Sequence, residues 1–475
     1  MMSRLPLRCC AVLLSVIVVA GCSPLPYAAR PLDQDAALTE YAQRSATTDG
    51  LKRFAIANGY AEPDWPPRQW GLRELTLVAL YFHPEMRIAR ARADLARAQR
   101  DGAALRPGLG ARVRPEYHAR ELPEDNGPWT LGLELEIPLT AQGKREARIE
   151  RSAFLADAAD LDVAAAAWTV RAGVRDRLVE LQSDRDTLAA LEAQIAARRE
   201  MLGLVERRVQ AGMLSTHELG TERLALSQLE VARDQQSSLA QRRLAELALA
   251  LGVPPEMTAA MELRFDAELP AVQTEAAELR GLALRNRLDV HRKLLEFGAA
   301  DAEVKLAVAS QNPDITLGPG YAWDQGDNIW SLAVGFSIPS GAQARAHVRE
   351  SETQREVAAQ QFLATQMAAI ASTEAAAAGY RSALRRLAAA RRQQALQQEQ
   401  EARVVRQFDA GGADRLQRVT ARVETLAADG AVRLAHTDSR QSLARLEDAV
   451  QRPLFGDFSA LPDMRSAKHE DASKQ

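Results

Sequence analysis

Alternate positions govern the first reading of this chain. From Leu109 the residues Leu109, Ala111, Val113, Pro115 and Tyr117 fall on one side of an extended backbone, and Arg112, Arg114, Glu116 and His118 on the other. After the turn-rich ELPEDNGP, Trp129, Leu131, Leu133, Leu135 and Ile137 alternate with Thr130, Gly132, Glu134 and Glu136. A period of two with one apolar side predicts strands over 109–119 and 129–138, joined as a hairpin. The design returns as strands over 314–323 and 329–338. Ile315, Leu317, Pro319, Tyr321 and Trp323 form one apolar side; past DQGDN, Trp330, Leu332, Val334, Phe336 and Ile338 form the next.

Elsewhere the period lengthens. Val174, Leu178, Leu181, Leu188, Leu191, Ile195, Leu202, Val205 and Val209 are spaced by three, four or seven, a heptad seam. It lies in a proline-free helix predicted over 141–210. At 1.5 Å per residue that is about 105 Å. AGMLST breaks the run, and a return helix over 215–252 ends at Gly252-Val253-Pro254-Pro255. The second half repeats this: a helix over 342–409, the break AGGAD, and a return helix over 414–451 stopping before Pro453. The second break reads as about two residues shorter than the first. Each half is therefore helix, strand, strand, very long helix, turn, helix: an internal duplication. The first repeat spans 71–255, a linker 256–280, the second repeat 281–455, and a polar tail 456–475 is expected to be disordered.

The N-terminus reads as a processing segment. Arg4 and Arg8 precede the apolar run Ala11–Ala20, which is shorter than the roughly 20 residues of a spanning helix. Residues 1–21 read as a signal peptide, and the small residues before Cys22 resemble a bacterial lipobox, which implies cleavage there and lipid attachment to Cys22. By resemblance to lipoproteins, Ser23 in place of Asp implies sorting to the outer membrane. Residues 22–70, punctuated by Pro24, Pro26, Pro31, Pro63, Pro66 and Pro67, read as an extended, irregular leader.

An outer-membrane address changes the meaning of the strands. Each is about ten residues long, the length of a tilted strand crossing a bilayer. Tyr117, Trp129, Tyr321, Trp323 and Trp330 lie beside the turns, where an aromatic girdle belongs. Four strands cannot close a barrel, and open edges in lipid cost several kcal/mol per unpaired backbone group, roughly. Two copies would give eight strands and three copies twelve; an open conduit favours three.

Composition removes other classes. Charged residues make up 26% of the chain with a formal net charge of −3, which argues against a nucleic-acid partner. The seven histidines form no HExxH, no G-x-S-x-G occurs, and cysteine is confined to Cys9, Cys10 and Cys22. No enzyme, cofactor or metal site is expected.

The paired W-x-L…I-P strands, the duplicated Ala-Gly turns and the lipobox together resemble the TolC-type outer membrane factors, over about residues 70–455. The resemblance implies a mainly α fold with a membrane β-barrel: a homotrimer with a twelve-stranded barrel in the outer membrane and a long coiled-coil tunnel crossing the periplasm. It implies a passive exit duct of a tripartite efflux pump, lipid-anchored in the outer membrane. The implied partners are a periplasmic adaptor and an inner-membrane pump of the proton-driven resistance-nodulation-division type. Arg112, Arg114, Glu134 and Glu136 would line the pore, and Gly212, Met213, Leu214, Gly411 and Gly412 would meet the adaptor at the periplasmic tip. Asp414 fits the first position of an acidic gate ring; the next is Gln417, a departure from the family pattern. Three Asp414 carboxylates near one axis would raise each other's pKa.

Two rival readings are a duct for a type I protein secretion system and a lipid-anchored coiled-coil scaffold without a pore. Neighbouring genes for a pump or an ATPase separate the first; heat-modifiable trimer migration or a conductance excludes the second.

Overall fold

The computed structural model describes residues 27–119, 128–265, 275–338 and 340–454. The signal segment, Cys22 and the tail 456–475 lie outside the described residues. Residues up to Arg44 form a unit of their own. Its helix α1 (Gln34–Ala42) is capped by Asp33, whose carboxylate accepts the Asp35 and Ala36 N–H groups at 3.0 Å.

The second unit begins at Ser45 and runs in chain order through α2 (Asp49–Ala57), α3 (Leu72–Phe82), α4 (Pro84–Ala103), β1 (Gly110–Tyr117), β2 (Trp129–Leu139), α5 (Lys144–Gln210) and α6 (Thr216–Leu251). It continues with α7 (Pro255–Ala259), α8 (Ala276–Asn286), α9 (Leu288–Ala309), β3 (Ile315–Asp324), β4 (Asp327–Phe336), α10 (Gly341–Asp409) and α11 (Arg415–Val450).

The expected irregular leader is corrected by α1 and α2. All six prolines of that region fall outside Gln34–Ala57, so nothing there opposes helix. The helix α2 buries Leu51, Phe54 and Ala55. Trp65 and Trp70 are buried too, with their ring centroids 5.6 Å apart at 79°. The leader is also stitched to the region between the repeats. Trp70 N–H donates to the Glu262 carbonyl at 2.8 Å, and Arg264 N–H to the Trp70 carbonyl at 3.0 Å.

The long helices α5 and α10 carry the architecture. Each packs along its return helix (α6 or α11) and against the helix that feeds its strands: α4 and α9 on α5, α9 on α10. The helix α11 also packs on α5, so the two halves are joined. At 67 and 69 residues the long helices span roughly 100 Å each. The densest core lies near their middle, where the return helices end. Val174, Leu178 and Leu181 of α5 meet Leu75 and Leu80 of α3, Leu247 and Leu251 of α6 and Leu443 of α11. A buried ionic knot sits beside it. Glu447, fully buried, accepts from Arg171 Nη1 and from Arg175 Nη1 at 2.8 Å, and takes the Leu454 N–H at 2.6 Å.

The four strands form one antiparallel sheet in the order β1-β2-β3-β4. The register pairs Tyr117 with Trp129, Leu131 with Trp323, and Tyr321 with Trp330. All four apolar sides therefore fall on one face. The second hairpin is tighter than DQGDN implied. Asp324 pairs directly with Asp327, leaving a two-residue turn of Gln325 and Gly326, with φ of 49° and 107°.

Candidate functional site

The sheet face built from the apolar positions is largely exposed on β1, β2 and β4, while Leu317, Tyr321 and Trp323 of β3 are half-buried. It includes Val113, Leu131, Leu133, Leu135, Leu332, Val334 and Phe336, with Trp330 80% exposed. A continuous apolar surface of this extent marks contact with lipid or another chain. Tyr117 meets Trp129 edge-on with ring centroids 5.0 Å apart, and Tyr321 meets Trp330 in a tilted pair at 4.9 Å. Both pairs sit at the turn end of the sheet. Trp323 lies opposite Asn328 and Leu131 and takes part in neither pair. Among the described residues no helix is long and apolar enough to cross a membrane.

The opposite face carries the four residues read as pore-lining. Arg112 faces its register partner Glu134 at 3.6 Å and also pairs with Glu136. Arg114 lies 3.8 Å from Glu116. The β3 glycines leave room for these acids: a Cβ on Gly318 would stand 2.6 Å from Glu134 Oε1. One row nearer the turns, the register aligns Glu116, Thr130, Asp324 and Asp327 across the sheet. His118 Nε2 lies 2.9 Å from Thr130 Oγ1, and Thr130 Oγ1 donates to Asp324 Oδ1. Sequence reasoning placed His118 on this face and missed its convergence with Asp324.

At the far end of the helices the two turns are the same device. Gly212 N–H donates to the Val209 carbonyl at 3.0 Å and Met213 N–H to Arg208 at 2.8 Å; Gly411 and Gly412 donate to Phe408 and Gln407 at 3.0 and 2.8 Å. These are Schellman closures, with Gly212 and Gly411 left-handed at φ 72° and 78°. Each is followed by a capping box: Ser215 with Glu218, and Asp414 with Gln417. Both breaks run five residues, 211–215 and 410–414, so the second is not the shorter one. Thr216, which closes the AGMLST break in the sequence reading, is the first helical residue of α6. Met213 is 73% exposed and Leu214 half-buried.

Asp414 is engaged within the chain. Its carboxylate caps α11 through the Gln417 N–H at 2.9 Å and lies 2.7 Å from Arg208 Nη2 of α5. Within the chain, the Arg208 hydrogen bond and the Gln417 N–H hold its pKa below the usual carboxylate range. Gln417 is the return arm of the capping box, its Oε1 accepting the Asp414 N–H at 2.9 Å. Arg415 and Glu200 make a second link between α11 and α5, at 2.7 Å. Among the described residues no group of three or more His, Cys, Asp or Glu is placed to hold a metal ion.

Known proteins agree with this geometry. Residues 78–253 match the profile of the outer membrane efflux protein family. The cobalt–zinc–cadmium resistance protein CzcC of Cupriavidus metallidurans is 30% identical over 237 residues, which cover 49% of this chain and 55% of that protein. The chain thus spans about half the length of this curated relative. The fold as a whole resembles the outer membrane protein VceC of Vibrio cholerae, with TM-score 0.65, 18% identity, and coverage of 80% of this chain and 95% of VceC. It likewise resembles the MtrE outer membrane channel of Neisseria gonorrhoeae in its open state, with TM-score 0.64, 16% identity, and coverage of 90% and 98%. Residues 78–253 thus match the outer membrane efflux protein family, and the chain shares the fold of the outer membrane proteins VceC and MtrE.

Proposed function

We propose that the protein is the outer-membrane exit duct of a tripartite efflux pump, a passive conduit gated at its periplasmic tip. The carrying observation is the sheet: one continuous apolar face across four strands, with the edges of β1 and β4 unpaired among the described residues. In lipid such edges demand partners. Three copies give twelve strands, with Tyr117, Trp129, Tyr321, Trp323 and Trp330 at the interface and Arg112, Arg114, Glu134 and Glu136 toward the lumen. Cys22 carries the lipid that anchors the mature chain in the outer membrane. The tips, with Gly212, Met213, Leu214, Gly411 and Gly412, receive a periplasmic adaptor. The inner-membrane partner is a proton-driven pump of the resistance-nodulation-division type. Asp414 and Gln417 close the entrance through the Arg208 link, with no acidic pair. A duct needs no catalytic group.

For cargo we read divalent metal cations. CzcC, the curated relative, is named for cobalt, zinc and cadmium resistance. Planar-bilayer recording on purified protein tests the duct, and step conductances are expected; a silent protein contradicts it. Sensitivity of a deletion strain tests the cargo: greater sensitivity to Zn²⁺ and Co²⁺, with dyes unaffected, is expected.

A further inference from the structure

The turn end of the polar sheet face carries a feature that conduction alone does not use. Three strands deliver His118, Thr130 and Asp324 to one point. His118 continues the β1 ladder, its N–H donating to the Pro128 carbonyl at 2.8 Å, so its ring falls on the polar side with Glu116. The imidazole Nε2 stands 3.9 Å from Asp324 Oδ1, with Thr130 Oγ1 between them. Proton accounting fixes the donors. Thr130 gives its hydroxyl hydrogen to Asp324, so His118 gives its Nε2 hydrogen to Thr130. Asp324 also stands directly opposite Asp327, a like-charged cross-strand pair of a kind that destabilises a sheet. Asp327 Oδ1 is engaged by the Asn328 N–H at 2.8 Å, and Arg114 leans on Glu116 instead.

We propose that His118 and Asp324 form a binding site for a divalent transition-metal cation at the outer end of the lumen, completed by water and positioned by Thr130. An imidazole and a carboxylate suit zinc and cobalt. Bonds of about 2.0–2.2 Å from each ligand reach a shared ion across the observed separation. On binding, the His118 hydrogen leaves Nε2 and is held at Nδ1, the neutral ring donates its Nε2 lone pair, and Thr130 keeps its bond to Asp324. The ion also relieves the Asp324–Asp327 opposition. With two protein ligands and open water positions, the site holds an ion weakly and lets it go, as an exit station requires. This deepens the metal-cargo reading and rests on it.

The test is Co²⁺ titration of the full-length protein in detergent, followed by visible absorption, with conductance recorded on the same preparation. A saturable signal at neutral pH is expected. His118→Ala removes it and Asp324→Asn weakens it, with circular dichroism unchanged. Thr130→Val, which frees the Asp324 carboxylate, weakens it about 10–100-fold. A His118→Ala protein that binds Co²⁺ as the wild type does, or a wild type with no saturable signal, overturns the site. So does an equal loss in Glu116→Gln, which would make the row a diffuse anionic patch. Conductance without a Co²⁺ signal sinks the site alone; a Co²⁺ signal lost in His118→Ala, in a protein that never conducts, supports the site and sinks the duct.

Discussion

Arg208 Nη2 lies 2.7 Å from Asp414 Oδ2, joining the end of α5 to the start of α11 across two turns almost half the chain apart. The pair is half-exposed, so it is worth about 0–1 kcal/mol. A link this weak suits the proposed gate, where an adaptor would break it without endangering the fold. Arg208→Ala is therefore expected to raise resting conductance in planar bilayers while changing unfolding free energy by less than about 1 kcal/mol. Unchanged conductance would remove this pair from the gate.

The same pair gives a pH expectation. Asp414 has a folded pKa below its unfolded value. Its contribution is present above the unfolded value and lost only as pH falls through the lower folded one. Resting closure should be flat from pH 8 to about pH 5 and loosen only in stronger acid. In Asp414→Asn that acid transition should be missing from the conductance–pH curve.

Gly252 and Gly212 separate strain from clash. Both are left-handed, at φ 70° and 72°. A Cβ on Gly212 meets open space, whereas one on Gly252 would stand 2.9 Å from the His83 Cα and 3.0 Å from the Phe82 carbonyl. Gly212→Ala should cost about 1–2 kcal/mol of local strain at a fraying tip. Gly252→Ala should cost more, because backbone must move at the α3–α4 junction. Thermal unfolding of the two variants side by side checks the order.

Glu447 holds two guanidinium groups in the core. Glu447→Ala leaves Arg171 and Arg175, both under 2% exposed, without that carboxylate and should destabilise by about 3–5 kcal/mol. Denaturant unfolding of the purified variant measures it.

Local pattern made much of this molecule legible. The strands followed from strict alternation, the turns from Gly212 and Gly411, and the α11 start from Asp414, each a property of neighbours along the chain. Contacts between distant segments were not legible. Arg171 and Arg175 sit on a heptad helix, where charge reads as a solvated face; their partner Glu447 follows only once α11 lies on α5. The Arg208–Asp414 link and the His118–Asp324 approach are of the same kind, set by packing and register. The helices α1 and α2 were hidden differently: prolines at either end coloured a proline-free stretch between them.

The shared barrel is the central claim, because neither lumen nor gate exists without it. The direct test is the mass of the cross-linked, detergent-solubilised particle from purified outer membranes. Three copies per particle are expected. A monomer would leave the β1 and β4 edges unpaired and contradict the barrel, and the pore-free scaffold would then be the better account.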